Sequence, residues 1–145
     1  MLMNIDIWNF QTQLTRRLTF WSLASIAFGL PLLSVNPFWR GVGIQFIVWG
    51  AIDLLIAQLG ATSAKRRKAR FTPNELADAT PKEIANLKRI LLINTTLDVL
   101  YVAGGIALIL TFGAANPEWR GHGWGIIVQG GFLSFFDLFH ALKLK

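Results

Sequence analysis

Three carboxylic acids lie inside long apolar stretches, where an ionisable side chain is costly. Asp53, Asp98 and Asp137 are surrounded in the sequence by Leu, Ile, Val, Ala and Phe. In the middle of a membrane-spanning helix a charged residue costs at least about 2.5–3.5 kcal/mol, so it requires a partner, neutralisation or water. Counted with a helical rise of about 1.5 Å per residue, all three are predicted to lie in the cytoplasmic half of a membrane.

Two interpretations of these carboxylates stay open. In the first, Arg17 and Arg89 at the inner ends of neighbouring helices pair with them and hold the bundle together, with Asn94, Thr95 and Thr96 as further partners. In the second, they line a polar cavity that binds a cation, relays protons or holds the amine of a polar ligand. The predicted intramembrane polar cluster consists of Asp53, Asn94, Asp98, Tyr101, Asp137 and His140.

A metal ion is a further interpretation of part of this cluster. Asp137 and His140 stand three residues apart and share a helix face, so one more carboxylate would complete a set of three ligands. Two residues of one helix do not define a coordination geometry, and we therefore predict neither a metal site nor a cofactor. His122 and His140 are separated by about 27 Å of helix, which excludes a joint site within one monomer.

The pattern NPxWRG occurs twice, at 36–41 and at 116–121, each time between two apolar runs. Each copy is therefore predicted to be the hairpin of a two-helix unit. The likeness continues downstream if four residues are inserted in the second copy, because Gln45 then aligns with Gln129. The sequence thus predicts a tandem duplication.

The hairpins offer chemistry of their own. Each arginine follows a tryptophan and precedes a glycine, an arrangement that would bind an anionic group or a quinone-like ring. Gln45 and Gln129 would then add hydrogen bonds at mid-span. In the simpler interpretation the tryptophans form an interfacial belt, the arginines reach the interface and Asn-Pro makes the turn. The predicted hairpin residues are Asn36, Trp39, Arg40, Asn116, Trp119, Arg120 and His122.

Composition favours a membrane protein. The 145 residues are 53% apolar and 15% charged, which is too apolar for an ordinary soluble domain. Four stretches each approach the roughly 20 residues that cross a bilayer as a helix. A soluble bundle is disfavoured, because its helices would keep a charged face. The predicted spans are 18–35, 43–61, 90–113 and 124–142.

Basic residues set the predicted orientation. Of the 14 Lys and Arg residues, 12 lie near the N-terminus, in the central connection or at the C-terminus. The positive-inside rule then places both termini and the connection in the cytoplasm, with both hairpins facing out. The basic run at 65–70 is expected to contact anionic lipid, and no nucleic-acid partner is expected.

Local signals predict three further features. Residues 1–16 are weakly amphipathic and indicate an interfacial helix ahead of the first span. Capping boxes with proline at Thr72 and at Thr80 predict a short helix in the connection and then the start of the third span. The alternating glycines at 121–125 favour a re-entrant or unwound start of the fourth span.

Each predicted span carries one polar or small stripe, and four stripes facing one axis give an all-α integral membrane four-helix bundle. We expect a single domain over 1–145, with repeat 1 at about 17–60 and repeat 2 at about 81–142. A cytoplasmic linker at about 61–80 joins them. Since each repeat has two spans, the repeats run in parallel orientation.

Several motifs carry a family resemblance. They are NPFWRG with QFIVWGAID (45–53), LIN (92–94) with LDVLY (97–101), and GHGWG (121–125) with QGG (129–131). With them the chain resembles a family of small four-span prokaryotic integral membrane proteins of uncharacterised function, which have duplicated NPxWRG hairpins. The resemblance covers nearly all of the chain. It implies the four-span fold and no activity, substrate or cofactor.

Functional hypotheses follow from two classes. A Gly-rich phosphate loop, an HExxH motif and a nucleophile with a base in reach are all missing, so the sequence favours a protein that is not an enzyme. The first hypothesis is a scaffold or accessory subunit that packs against a second copy or another membrane protein. The alternative is a cation- or proton-coupled transporter or channel that uses the carboxylates. A membrane enzyme or a quinone- or haem-binding protein comes third.

Overall fold

The protein is all-helical in a computed structural model that describes residues 5–145. The first four residues of the predicted lead-in segment, 1–4, lie outside the described residues. No strand occurs in the described part of the chain, so the predicted all-α class is confirmed. Five helices follow one another: α1 Ile7–Leu32, α2 Pro37–Lys68, α3 Pro73–Leu110, α4 Phe112–Ala115 and α5 Pro117–Lys143.

Both NPxWRG stretches begin a helix. The side chain of Asn36 accepts a hydrogen bond from the Trp39 amide at 3.0 Å and caps α2. The side chain of Asn116 accepts hydrogen bonds from the amides of Glu118 and Trp119 and caps α5. Proline follows each cap at the first helical position, where its missing N–H costs nothing. We call this end of the molecule the hairpin end, and the end that holds 65–70 the basic end.

Three helices, α2, α3 and α5, are long and apolar enough to cross a membrane. Four spans were predicted, and α1 is the helix that is not apolar enough over a sufficient length to count among them. Its apolar part begins at Leu18 and the helix already ends at Leu32, before the predicted end of the span. The residues that precede Leu18 include Arg16 and Arg17. A fifth helix, α4, is a single turn ahead of the second hairpin.

The connection between α2 and α3 is shorter and more helical than predicted. α2 continues to Lys68, and α3 starts at Pro73. Thr72 caps α3, and its amide donates a hydrogen bond to the carboxylate of Glu75 at 2.8 Å. The prediction of a separate short helix before Thr80 is wrong, since Pro81 lies inside α3. Instead of capping a new helix, the Thr80 hydroxyl donates to the Leu76 carbonyl one turn earlier, at 2.8 Å.

The N-terminal segment is not a separate interfacial helix but the first half of α1. Asp6 caps it by accepting hydrogen bonds from the amides of Trp8 and Asn9. Ile7, Trp8 and Leu14 are buried within the protein instead of facing outward. They belong to an apolar core at the basic end, whose buried members are Ile7, Trp8, Leu14, Leu91, Phe136, Ala141 and Leu144.

Glycines bring the helices into close contact. α1 packs on α2, and α3 packs on α5. A Cβ on Gly29 would lie 2.7 Å from the carbonyl oxygen of Gly43, and a Cβ on Gly105 would lie 2.8 Å from that of Gly123. Such distances are shorter than real Cβ contacts, so only glycine permits these two crossings.

The two helix pairs meet where α2 packs on α5. A Cβ on Gly41 would collide with the carbonyl oxygen of Glu118, and a Cβ on Gly121 with that of Phe38. This contact explains the glycines after each arginine. It also overturns the predicted re-entrant start of the last span, because α5 is continuous from Pro117 and its glycines face neighbouring helices.

Corresponding glycine contacts recur at a spacing of 80 residues. A Cβ on Gly50 would lie 2.8 Å from a carbonyl oxygen of α1, and one on Gly130 would lie 3.1 Å from a carbonyl oxygen of α3. The predicted insertion of four residues does not fit this register. Gln45 corresponds to Gly125 rather than to Gln129, and a Cβ on Gly125 would lie 2.6 Å from the Cβ of Gln45. The pairs 80 residues apart are Gly41 and Gly121, Gly43 and Gly123, and Gly50 and Gly130.

Replacement of a contact glycine should destabilise the protein. Gly121→Ala places a methyl group against the backbone of α2, and overpacking of this kind costs about 1–3 kcal/mol. Gly104→Ala is the matched control, because a Cβ there meets nothing within 4 Å. We expect thermal unfolding in detergent to shift down for Gly121→Ala and to stay level or rise for Gly104→Ala. Equal shifts would contradict the packing described here.

Candidate functional site: a carboxylate-lined cleft

A cleft of about 180 Å³ lies between α2 and α3, with α5 beneath it. α2 and α3 each pack on α5, which leaves room between them. The cleft contains every member of the predicted polar cluster except His140. Its polar and aromatic lining consists of Trp49, Asp53, Asn94, Asp98, Tyr101 and Asp137.

Helical spacing explains how three helices contribute to one site. On α2, Trp49 and Asp53 are four residues apart, and on α3 Asn94 and Asp98 have the same spacing. Residues separated by three or four positions lie on one helix face, one turn above the other. Asp137 completes the set from α5. The sequence pattern therefore predicted which faces meet.

The three carboxylates are buried and have no basic partner. Asp53, Asp98 and Asp137 expose 4%, 6% and 8% of their surface. The Oδ2 atom of Asp53 is buried and receives no hydrogen bond. Within residues 5–145 the ion pairs are Arg40 with Glu118 and Arg67 with Glu83, and neither involves a carboxylate of the cleft.

The predicted pairing of the carboxylates with Arg17 and Arg89 is therefore wrong. The Nη1 atom of Arg17 lies 3.1 Å from the Nε2 atom of His140 instead. Arg89 lies at the surface, where it lines shallow grooves next to Lys88 and Glu83. Neither arginine lines the cleft.

His140 was predicted in the polar cluster and lies outside it. Its Nδ1 atom is 2.7 Å from the carbonyl oxygen of Phe136, and its Nε2 atom faces Arg17. Arg17 donates, so Nε2 accepts and Nδ1 carries the hydrogen. Three residues fall about 60° short of a full helical turn, which rotates His140 away from Asp137 and toward α1.

This rotation also removes the metal interpretation of Asp137 with His140. In the described part of the chain, no group of three or more His, Asp or Glu side chains is placed to hold a metal ion. The carboxylates of the cleft share one space without converging on one point.

Trp49 and Tyr101 close the cleft toward the hairpin end. Their ring centroids lie 5.0 Å apart with the planes at 75°, an edge-to-face contact between α2 and α3. Tyr101 was predicted in the cluster, whereas Trp49 was not. The aromatic pair gives the cleft a wall with π faces as well as carboxylates.

The opposite groove, between α1 and α5, is filled. Gln129 is fully buried; it accepts a hydrogen bond from the Trp21 indole at 3.1 Å and donates one to the Ser25 hydroxyl at 3.2 Å. Trp21 stacks on Phe132 with 3.6 Å between centroids. Gln129 is thus a packing residue, and no pattern in the sequence indicated Trp21 as its partner.

The hairpin residues are engaged with one another. Arg40 donates from Nε to Oε1 of Glu118 at 2.9 Å and pairs with the second oxygen through Nη2. Gln45 contacts the Nδ1 atom of His122 at 3.0 Å. An external anion would have to displace Glu118 from Arg40, which argues against the predicted anion site there.

The second hairpin arginine plays a different part. Arg120 packs over Gly113, where a Cβ would lie 2.9 Å from its Cα. Trp39 and Trp119 are 40% and 46% exposed. The partner role of Glu118 was missed, because its position is the variable one in NPxWRG.

A polar network at the basic end was also missed. The guanidinium of Arg67 donates from Nε to Oε1 of Glu83 at 3.1 Å and from Nη1 to the Ser63 hydroxyl. Gln11 donates to Glu83 at 3.3 Å. The network ties α1, α2 and α3 together beyond the apolar core. Arg67 was treated in the sequence as one of a run of basic residues, and nothing in that run distinguishes it.

Fold and site together define an all-helical protein with three helices able to cross a membrane and one buried carboxylate cleft. Residues 17–138 match a family described as a family of unknown function, DUF6992. The match covers most of the chain, including the cleft and both hairpins, so the chain belongs to this family. Neither a curated protein nor a solved structure matches the chain.

Substitutions should separate packing from functional polar groups. Gln129→Leu leaves the Trp21 indole and the Ser25 hydroxyl without their partner and should cost about 1–3 kcal/mol. Asp53→Leu removes a buried carboxylate oxygen that has no partner, so thermal stability in detergent should stay level or rise. A loss for Asp53→Leu as large as that for Gln129→Leu would contradict the unpaired state of Asp53.

Proposed function

We propose that this protein is a four-span membrane protein whose cleft binds a cation in exchange for protons, as a transporter or channel of cations would. The observation that carries the proposal is the set of three buried carboxylates around one cleft without a basic partner. An ionisable group at membrane depth indicates a functional site by default. Carboxylates paired with Arg17 and Arg89 would have favoured the scaffold hypothesis, and the ion pairs within residues 5–145 do not include them.

Charge balance gives the proposal its chemistry. Three ionised carboxylates in one small buried space repel one another, and burial removes the water that would screen them. Protons or a bound cation must compensate that charge. If binding of the cation displaces the protons, the cleft alternates between two electrically similar states, which is the requirement for coupled exchange.

The four-span arrangement adds α1 to the three candidate spans. α1 is antiparallel to α2 and packs along it, and its apolar part continues as Leu33 and Val35 beyond the last helical turn. Interfacial residues complete a short span in many membrane proteins. Glycine contacts at corresponding positions of the two helix pairs support an internal duplication in parallel orientation.

In the proposed orientation the basic end faces the cytoplasm and the hairpins face outward. The distribution of Lys and Arg supports it, with 12 of 14 at the basic end. The inner membrane of a prokaryotic cell is the proposed location. The surface with Lys65, Arg66 and Lys68 would contact anionic lipid. A second copy of the chain stays a proposed partner, and the site does not require it.

Proton release tests the cation exchange. Purified protein in weakly buffered detergent, with a soluble pH indicator, receives the chloride salts of sodium, potassium, methylammonium and butylammonium at constant ionic strength. We expect saturable release of about one proton per protein with at least one of these cations. Asp53→Asn, Asp98→Asn and Asp137→Asn should each abolish it, because each removes a site that exchanges or holds charge.

Asp78→Asn is the matched control, since Asp78 is exposed on the same helix as Asp98. It should release protons like the unsubstituted protein. Absence of saturable release with all four salts, or release that survives all three cleft substitutions, would overturn the proposed function.

A further inference from the structure

We propose that the cation is a protonated alkylamine, whose ammonium group lies among the carboxylates while its apolar part extends between α2 and α3. The inference rests on the proposed function and names the ligand class of the same cleft. It comes from the rim of the cleft, its two ends and the Asp53 oxygen that receives no hydrogen bond from residues 5–145.

The rim is apolar and faces outward. Ile52 and Ile56 on α2 and Leu97 on α3 line the cleft and are 45%, 50% and 44% exposed. α2 and α3 both lie on α5, so the gap between them opens at the side of the bundle. In a membrane that side meets lipid. A ligand that enters there must itself carry an apolar part.

Aromatic and apolar side chains lie at both ends of the cleft along the bundle. Toward the hairpin end, Trp49 and Tyr101 touch across the gap. Toward the basic end, Leu18 lines the cleft and packs against the apolar core that contains Leu91 and Phe136. These side chains and the apolar rim disfavour entry of a strongly hydrated inorganic ion and favour entry of an amphiphile.

The chemistry of the lining selects an N–H donor. The Asp53 carboxyl group lines the cleft, and its buried Oδ2 atom receives no hydrogen bond from residues 5–145. A protonated amine supplies hydrogens to such a carboxyl group and the charge that the carboxylates need. Trp49 and Tyr101 add the aromatic faces that attract an organic cation. A quaternary ammonium ion has the charge but no N–H.

Size agrees with this division of the ligand. The cleft of about 180 Å³ is smaller than the roughly 300–1,000 Å³ of pockets that enclose a drug-sized molecule. It holds an ammonium group with its first carbons, and the remainder lies between Ile56 and Leu97. The ligand is therefore enclosed at its charged end alone.

Equilibrium dialysis of radiolabelled hexylammonium tests the inference. Nanodiscs that contain the protein are compared with empty nanodiscs, which subtracts partition into lipid. We expect saturable binding to the protein that butylammonium displaces, with butyltrimethylammonium and sodium at least about tenfold weaker as competitors. Asp53→Asn should weaken hexylammonium binding at least about tenfold, since its amide offers a weaker acceptor.

Controls separate this inference from the proposed function. Asp78→Asn should bind hexylammonium unchanged, and Trp49→Leu should weaken binding without loss of the folded state in thermal unfolding. Displacement by sodium or by butyltrimethylammonium as strong as that by butylammonium overturns the alkylamine inference. If inorganic salts still release protons in that case, cation exchange stands; if no cation binds or releases protons, both proposals fail.

Discussion

The approach of α2 to α5 through Gly41 and Gly121 is the contact on which the rest of the structure depends. Each glycine lies against the backbone of the facing helix, so the helices touch without intervening side chains at the hairpin end. Each then carries a partner, α1 or α3, on its other side. Because α3 and α2 share α5 as their support without closing on each other, the cleft is a direct consequence of this crossing.

The two helix pairs provide similar grooves but fill them differently. With Gly29 matched to Gly105, Ser22 on α1 corresponds to Asp98 on α3. The groove between α1 and α5 is occupied by Gln129, which accepts a hydrogen bond from Trp21, and by the Trp21 ring stacked on Phe132. The groove between α2 and α3 instead holds carboxylates. A common scaffold therefore carries one sealed side and one polar side.

Local signals in the sequence predicted the helix start after Thr72, the two hairpin turns and the faces that meet. Asn-Pro was predicted to make each turn, and in both turns the asparagine, Asn36 or Asn116, caps the helix that follows. The spacing of Asp53, Asn94 and Asp98 likewise placed them on inward faces. These features depend on periodicity and capping, which act over a few residues.

Features that depend on tertiary contacts were not predictable in the same way. Whether Arg17 reaches a carboxylate or His140 depends on the rotation of two helices about their axes. The number of residues between two positions does not determine that rotation. The capping box at Thr80 predicted that a helix starts at Pro81, yet Pro81 lies inside α3. The alternating glycines at 121–125 suggested unwinding, whereas their role is close packing against α2 and α3.

An infrared difference spectrum between cation-free and cation-saturated protein tests the central claim most directly. The account predicts a carbonyl band of protonated carboxylic acid that disappears when the cation binds. That band should be altered in Asp53→Asn, Asp98→Asn and Asp137→Asn, and unchanged in Asp78→Asn. A difference spectrum without such a band would show that cation binding leaves the protonation of the three carboxylates unchanged. That result would contradict an exchanging cleft.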